Sequence, residues 1–512
     1  MSSTATNDHP PQALNRTALA QGATEVEAAT DERRWVALYV LCVGMLMIVL
    51  DVTIVNVALP SIQSDLRFST SSLAWVVNAY LIAFGGLLLL AGRLGDLIGR
   101  RRIFLAGIGL FTTASLACGL ADSQSALIAA RFVQGIGGAM TSAVILGMIV
   151  TMFPGRSEIG QREQAKAIGV YAFVASAGGA VGLLAGGVIT QSIDWHWIFF
   201  VNIPIGIATA VFAARMLEHD PGIGLGEGAD VPGAVLITTA LMLGVYTIVE
   251  PAAEDGWGAG RTLALGGVSL ALLLGFLARE ATASKPLVPL RIFRSRNVAS
   301  ANVIQVLSVA GMFGVFFLGA LYLRRVLGYD ALEIGLAFLP VSLTMGTLSI
   351  RYSERLITRF GARNMLAPGL VLIMLALVLL SQAPVHGSYV AHVMPSMLLL
   401  GIGAGVCFPA LMNVAMSGAG PQDAGLASGL VNTTAQVGGA LGLAVLATLS
   451  TARSGHLIAQ GHSTAAALTS GYHLAFWIAA GLIVAALAVV PFVLGDTRQI
   501  EPEGASHSPA GA

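Results

Sequence analysis

The chain has 512 residues, 55% of them hydrophobic and 11% charged, with a mean hydropathy of +0.79. So little polar surface cannot dissolve a globule of this size, and the solvent for most of the chain must be lipid. The 27 basic and 27 acidic residues cancel, leaving no basic field to hold a phosphate backbone and excluding nucleic acid as a partner.

Residues 1–34 are polar and rich in small side chains, without the short apolar core of a cleavable signal peptide, and are expected to be a disordered cytoplasmic tail. Apolar runs of about twenty residues, enough to cross roughly 30 Å of hydrocarbon as helix, then follow at 35–58, 72–92, 103–121, 126–152, 165–190, 196–216, 230–250, 260–280, 298–323, 332–350, 365–381, 389–416, 424–449 and 471–495. These fourteen spans predict an all-α integral membrane protein, closed by a second cytoplasmic tail at 496–512. Basic residues test the count, because positively charged loops stay cytoplasmic. With the N-terminus inside, only Arg67, Arg261, Arg324, Arg325 and Arg453 fall outside, Arg131 lies within a span, and the other 21 of the 27 are inside. One missed or invented helix would reverse every later loop and spoil that bias. The expectation is therefore a multi-pass protein of the cell inner membrane with both termini cytoplasmic.

Six spans occupy 35–216, a linker at 217–297 holds two, and six occupy 298–495. A basic loop follows the second span of each half, GRLGDLIGRRR at 92–102 and RYSERLITRFGAR at 351–363. This duplication predicts two pseudo-symmetric six-helix bundles of a secondary transporter, with two helices inserted between them.

Asp51, Thr53 and Asn56 sit in the outer part of the first span, ahead of a Pro60 expected to end it. A carboxylate at that depth is costly as an anion and must face a cavity, pair, or carry a proton. Helix positions put Asp51 roughly 10 Å and Arg131 roughly 8 Å below the same surface. They read either as a proton-coupling network, in which Arg131 lowers the proton affinity of Asp51, or as a static ion pair serving assembly. Asn56 is the further polar feature expected in their cavity, and Glu250, where the seventh span ends, is a second protonation candidate beside a plainly solvated alternative. In the 92–102 loop, Gly92 and Gly99 permit tight turns, Asp96 can accept at a helix end, and Arg100 and Arg101 anchor the loop. It reads as a topogenic loop or as a charge latch that breaks and reforms. Gly178, Gly182 and Gly186, with Gly187 beside them, form a smooth face for close helix approach. The three cysteines lie far apart, the histidines show no metal-ligand spacing, and there is no phosphate-binding lysine loop. No metal, cofactor or enzymatic activity is expected.

Several of these segments carry a family resemblance. Asp51-x-Thr53-x-x-Asn56-x-Ala58-Leu59-Pro60, Gly92-x-Leu94-x-Asp96-x-x-Gly99-Arg100-Arg101, Arg131-x-x-Gln134-Gly135-x-Gly137 and Trp195-His196-Trp197-Ile198-Phe199-Phe200-x-Asn202-x-Pro204-x-Gly206 resemble motifs of the major facilitator superfamily, in particular its fourteen-spanner drug/proton antiporter branch. The resemblance covers about 35–495. It implies alternating access, export of amphiphilic drugs or antibiotics against proton entry, a coupling role for the arginine at 131, and a monomeric transport unit. A dedicated metabolite or lipid exporter of the same fold, or a non-transporting sensor or scaffold, is the alternative. One departure is Leu183, which stands where the fifth-span antiporter motif of the branch has proline.

Overall fold

The computed structural model describes residues 13–154, 158–224, 228–419 and 424–493. They form fourteen long helical elements: α1 (Ala13–Leu66), α2 (Thr70–Ile98), α3 (Arg100–Gly119), α4 (Gln124–Met152), α5 (Glu158–Ser192), α6 (Trp197–Met216), α7 (Val231–Glu254), α8 (Gly260–Thr282), α9 (Arg296–Arg325), α10 (Ala331–Phe360), α11 (Ala362–Leu380), α12 (Tyr389–Ser417), α13 (Ala424–Ala459) and α14 (Thr464–Phe492). Thirteen of them, all but α5, are long and apolar enough to cross a membrane among the described residues. The 35-residue α5 occupies the place of the expected fifth span. Helices suit this composition because hydrocarbon offers no partner to a backbone N–H or C=O, and a helix satisfies both within itself.

Two boundaries differ from expectation. Helix α1 begins at Ala13, inside the segment expected to be disordered, while positions 1–12 and the tail from 494 lie outside the described residues. It also runs through Pro60 to Leu66 instead of ending there. Proline removes one backbone donor, and the helix continues past it with Val57, Ala58, Leu59, Ile62 and Gln63 buried on either side.

The first half, α1–α6, is knit by α3 on α4, α2 on α4 and α1 on α5, and the second half, α9–α14, by α11 on α12 and by α9 on α13 and α14. The halves meet chiefly where α2 packs on α13 and α5 on α10. In each pairing the second helix of one half meets the fifth of the other, as a two-fold relation requires. The corresponding connections also match: Gly99, between α2 and α3, and Gly361, between α10 and α11, have φ of 102° and 83°, a backbone conformation open to glycine. The inserted α7 and α8 pack on each other, and α7 lies against α2 and α13. The apolar window of α8 is 11% buried within the protein against 83% for α2, so α8 stands at the periphery and α2 at the centre.

Candidate functional site: a buried ion pair in the first half

The polar centre of the first half is assembled by close helix approach. A Cβ on Gly135 would lie 2.5 Å from the Tyr80 carbonyl oxygen of α2, and one on Gly137 would lie 2.5 Å from the Phe111 nitrogen of α3. Helix α4 is thus clasped from two sides, and its i, i+3 pair Arg131 and Gln134 projects together toward α1. The turn between α5 and α6 is pinned to α1 by Trp195 Nε1, which donates to Asp65 Oδ2 at 2.9 Å, and Asn202 follows at the head of the main part of α6.

Asp51 receives three donors there. Arg131 Nη1 donates to Oδ2 at 2.5 Å, while Gln134 Nε2 and Asn202 Nδ2 donate to Oδ1 at 2.7 and 3.1 Å. Arg131 is held in turn by Nε donating to the Val76 carbonyl at 3.0 Å and Nη1 to Gln134 Oε1 at 2.7 Å, with its guanidinium 4.5 Å from the Tyr80 ring centroid. Ser115 Oγ closes the network, accepting from Gln134 and Asn202 at 3.0 Å each and donating to the Phe199 carbonyl at 3.2 Å. Asp51 is 0% and Arg131 1% exposed. Removing two charges from water costs several kcal/mol per ion, and the dense set of charge-assisted bonds offsets that cost.

The shared depth read from the sequence is therefore a direct contact. The pair is buried within the first half, among the Gln134 and Asn202 amides and the Ser115 hydroxyl. Asn56 does not join it. Its Nδ2 donates to the Val52 carbonyl of its own helix at 2.9 Å, five residues and about 140° around α1 from Asp51. Glu250 is half-buried at the bend in α7, within the inserted pair and outside this network. Ser115 carried no sequence signal of its own; only its spacing opposite α4 selects it.

The 92–102 loop makes a second constellation. Arg100 Nε and Nη2 donate to Asp96 Oδ1 at 3.2 and 2.9 Å, and Nη1 reaches the Gly147 carbonyl and Thr151 Oγ1 of α4 at 3.0 and 2.9 Å. The Arg101 guanidinium donates to the Ala214 carbonyl at 2.5 Å. Asp220, which the sequence did not single out, accepts from the Arg100 backbone nitrogen at 3.2 Å and from Gly222 N at 3.0 Å, while Ile223 N donates to the Asp96 carbonyl at 3.0 Å. The loop is thus bound to α4 and to the chain leaving α6. Its tight glycines are Gly99, where a Cβ would meet the Asp220 carbonyl, and Gly95, where it would lie 2.5 Å from Val144 Cγ1; at Gly92 the nearest atom is 3.9 Å away. Asp220→Ala is expected to cost about 1 kcal/mol through the lost cap on α3. Asp96→Asn, at a 43% exposed i, i+4 pair, should cost no more than about 0.5 kcal/mol. Thermal unfolding of the two purified variants would show that order.

In α5, Cβ atoms on Gly178 and Gly186 would lie 3.0 and 2.9 Å from α1 atoms, and one on Gly182 would run into Thr53 Oγ1. Gly187 instead faces Ala331 and Leu332 of α10, across the interface between halves, at 2.9 Å. The glycine face is thus the seat of α1 and, at its end, of the second half. Leu183, in the place of the proline, is 1% exposed, and its carbonyl approaches Gly335 of α10.

Comparison with known proteins agrees with this architecture. The profile of the Major Facilitator Superfamily matches residues 41–443. The chain is 38% identical over 486 residues to the puromycin resistance protein pur8 of Streptomyces alboniger, covering 93% of this chain and 95% of that one. It is also 38% identical over 473 residues to the cephamycin export protein CmcT of Amycolatopsis lactamdurans (92% and 94% covered), and 35% over 466 residues to a lincomycin resistance protein of Streptomyces lincolnensis (91% and 92%). Among solved structures, a bacterial homologue of the human lysosomal transporter Spinster in an inward-facing, unoccupied conformation superposes with a TM-score of 0.65 at 16% identity, covering 90% of this chain and 98% of that one. The POT family transporter PepTSo gives 0.62 at 14%, with 89% and 98% covered, and both likenesses speak to the fold. The duplicated helical halves, the match over most of the chain and these relatives together make it a multi-pass membrane transporter belonging to the Major Facilitator Superfamily.

Proposed function

We propose that this chain is an exporter of amphiphilic small molecules, of the drug or antibiotic class, that couples each outward passage to proton entry. The observation that carries the reading is the Asp51–Arg131 pair, a carboxyl group held at 0% exposure beside a permanent cation. With the pair closed both Asp51 oxygens are engaged by donors, so a proton reaches the carboxyl group only when α1 and α4 part. Binding of a proton and closure of the pair thus exclude each other, which is the elementary requirement of exchange. Moving one charge through 100 mV supplies about 2.3 kcal/mol. The two halves would rock about the α2–α13 and α5–α10 contacts in alternating access, with fourteen spans, both termini cytoplasmic and the monomer as transport unit, in the cell inner membrane. The relatives named for puromycin, cephamycin and lincomycin support the substrate class.

That each of those names carries one antibiotic favours a second reading, a dedicated exporter of a single natural product. Efflux of a panel of unrelated dyes and antibiotics from cells expressing the native chain, with and without a protonophore, tests both. Lowered accumulation that the protonophore restores is the expected result. Efflux indifferent to the protonophore would defeat the coupling, and efflux of one compound without competition from the others would select the dedicated exporter.

A further inference from the structure

At the end of α2 opposite the 92–102 loop, a cavity of about 480 Å³ lies where the two halves meet. Its walls are Thr70, the first residue of α2, Arg325, the last of α9, and stretches of α13 and α14 that include Thr451, Ser454, Leu468 and Tyr472. Helices α13 and α14 approach tightly beside it, since a Cβ on Gly471 would stand 2.5 Å from the Ser450 carbonyl oxygen.

The polar groups of this cavity have donors to spare. Arg325 is the one charged residue lining it among the described residues, and a guanidinium only donates. Its Nη1 donates to Thr70 Oγ1 at 3.1 Å, across the boundary between the halves. That bond uses a lone pair of Thr70, whose own O–H meets no acceptor among the described residues. Tyr472 is 1% exposed, and its hydroxyl, beside the Arg325 charge, is buried without a hydrogen-bond partner. Arg325 has no lone pair to offer that O–H. The Tyr472 ring is held in place edge-on to Tyr322, with centroids 6.2 Å apart. Thr451 and Ser454 have already committed their protons to the Ala447 and Ser450 carbonyls of their own helix, at 2.8 and 2.9 Å. The remaining guanidinium N–H groups and the Thr70 and Tyr472 hydroxyls therefore line one space as donors from three helices. A negatively charged group with several oxygens satisfies all of them together, and charge assistance strengthens each bond.

We infer that this cavity binds a phosphate oxyanion, as inorganic phosphate or as the monoester headgroup of a lipid, between Arg325 and Tyr472 of the second half and Thr70 of the first. Donors on three helices match the three terminal oxygens of such a phosphate, where a carboxylate offers two. Leu468, on the same wall, suits the apolar part of a lipid. Phosphate held there ties α2 to α9 and α14, and so favours the conformation in which these helix ends touch. The site is separate from the Asp51 network, and the inference holds whatever drives export.

The test follows the melting temperature of the full chain in a neutral detergent as inorganic phosphate or phosphatidic acid is added. Sodium chloride at equal ionic strength and phosphatidylcholine are the controls. A ligand that binds only the folded state raises the melting temperature by mass action. The native chain should be stabilised by at least one of the two phosphates and by neither control. Stabilisation by inorganic phosphate, with or without the lipid, identifies the bare oxyanion as the ligand; stabilisation by phosphatidic acid alone identifies a lipid headgroup. Arg325→Gln and Tyr472→Phe should each weaken the apparent affinity about tenfold, as should Thr70→Val, which removes the share of the first half. Arg324→Gln makes the same charge change one residue away, on a side chain bonded to the Tyr329 carbonyl, and should bind as the native chain does. No stabilisation by either phosphate, native affinity in Arg325→Gln or Tyr472→Phe, or an equal loss in Arg324→Gln would overturn the site. Native affinity in Thr70→Val would overturn the bridge between the halves.

Discussion

Asp51→Asn is expected to abolish accumulation-opposing efflux and, by itself, to destabilise the chain by about 3–5 kcal/mol, because it leaves the Arg131 guanidinium buried without its counter-charge. The double variant Asp51→Asn/Arg131→Gln removes both charges at once. Gln134, Ser115 and Asn202 can still bond to the amides, so thermal stability should return to near the native value. Energised efflux should not return with it. A site that only holds helices together is repaired when charge balance is repaired; a site that exchanges a proton is not. Melting curves paired with two flux assays in vesicles separate the cases. The double variant should still exchange labelled for unlabelled substrate without an imposed gradient, yet fail to build a gradient from a proton gradient. Native-like energised transport by the double variant would show that the pair serves assembly and that the proton is carried elsewhere.

Gly182→Val should be nearly as damaging for a reason that lies behind the site. The first atom added at Gly182 runs into Thr53 Oγ1 and lies 3.0 Å from the Leu50 carbonyl oxygen. Both belong to the turn of α1 that carries Asp51. That turn cannot back away, because Asp51 is bonded on its other side to α4 and α6. Overpacking of this kind costs about 1–3 kcal/mol, and here the strain falls on the ion pair itself. Gly182→Ala is the milder form, and adding Thr53→Ala, which deletes the nearest obstructing atom, should restore part of its lost stability and flux. Gly169→Ala in the same helix is the control. A Cβ at Gly169 meets nothing within 4 Å, and alanine is the better helix former by about 1 kcal/mol. Equal losses at Gly182 and Gly169 would show that the effect is unrelated to the seat of α1.

The site divides cleanly between what sequence shows and what it hides. Asp51 and Arg131 stand out because charges are rare inside apolar runs, and a helix converts residue counts into depth at a fixed rise. Gln134 follows Arg131 at i+3 and could be placed on the same face. Ser115 and Asn202 could not be selected this way: small polar side chains are common in such helices, and their part depends on how α3 and α6 rotate against α4. Asn56 is the converse. It looked like a partner by proximity in sequence, and its turn of α1 carries it to another face. Asp220 was missed because an acid in a loop usually signals no more than solvation, and its part comes from the Arg100 and Gly222 backbone nitrogens that the fold brings to it.

By itself, the sequence determined that the chain lives in lipid as long helices in two similar halves with a pair between them, because hydropathy, run length and loop charge are local properties that hydrocarbon imposes on any chain. Tertiary structure alone decided that α1 continues past Pro60, that the halves meet as α2 on α13 and α5 on α10, and that the inserted pair rests against α2 and α13. It also decided that Asp51 and Arg131 touch instead of merely sharing a depth. Those outcomes depend on which face each helix turns to its neighbours, and in lipid, where all apolar faces are nearly equivalent, that is settled by close packing at small residues and by the pairing of the few buried polar groups.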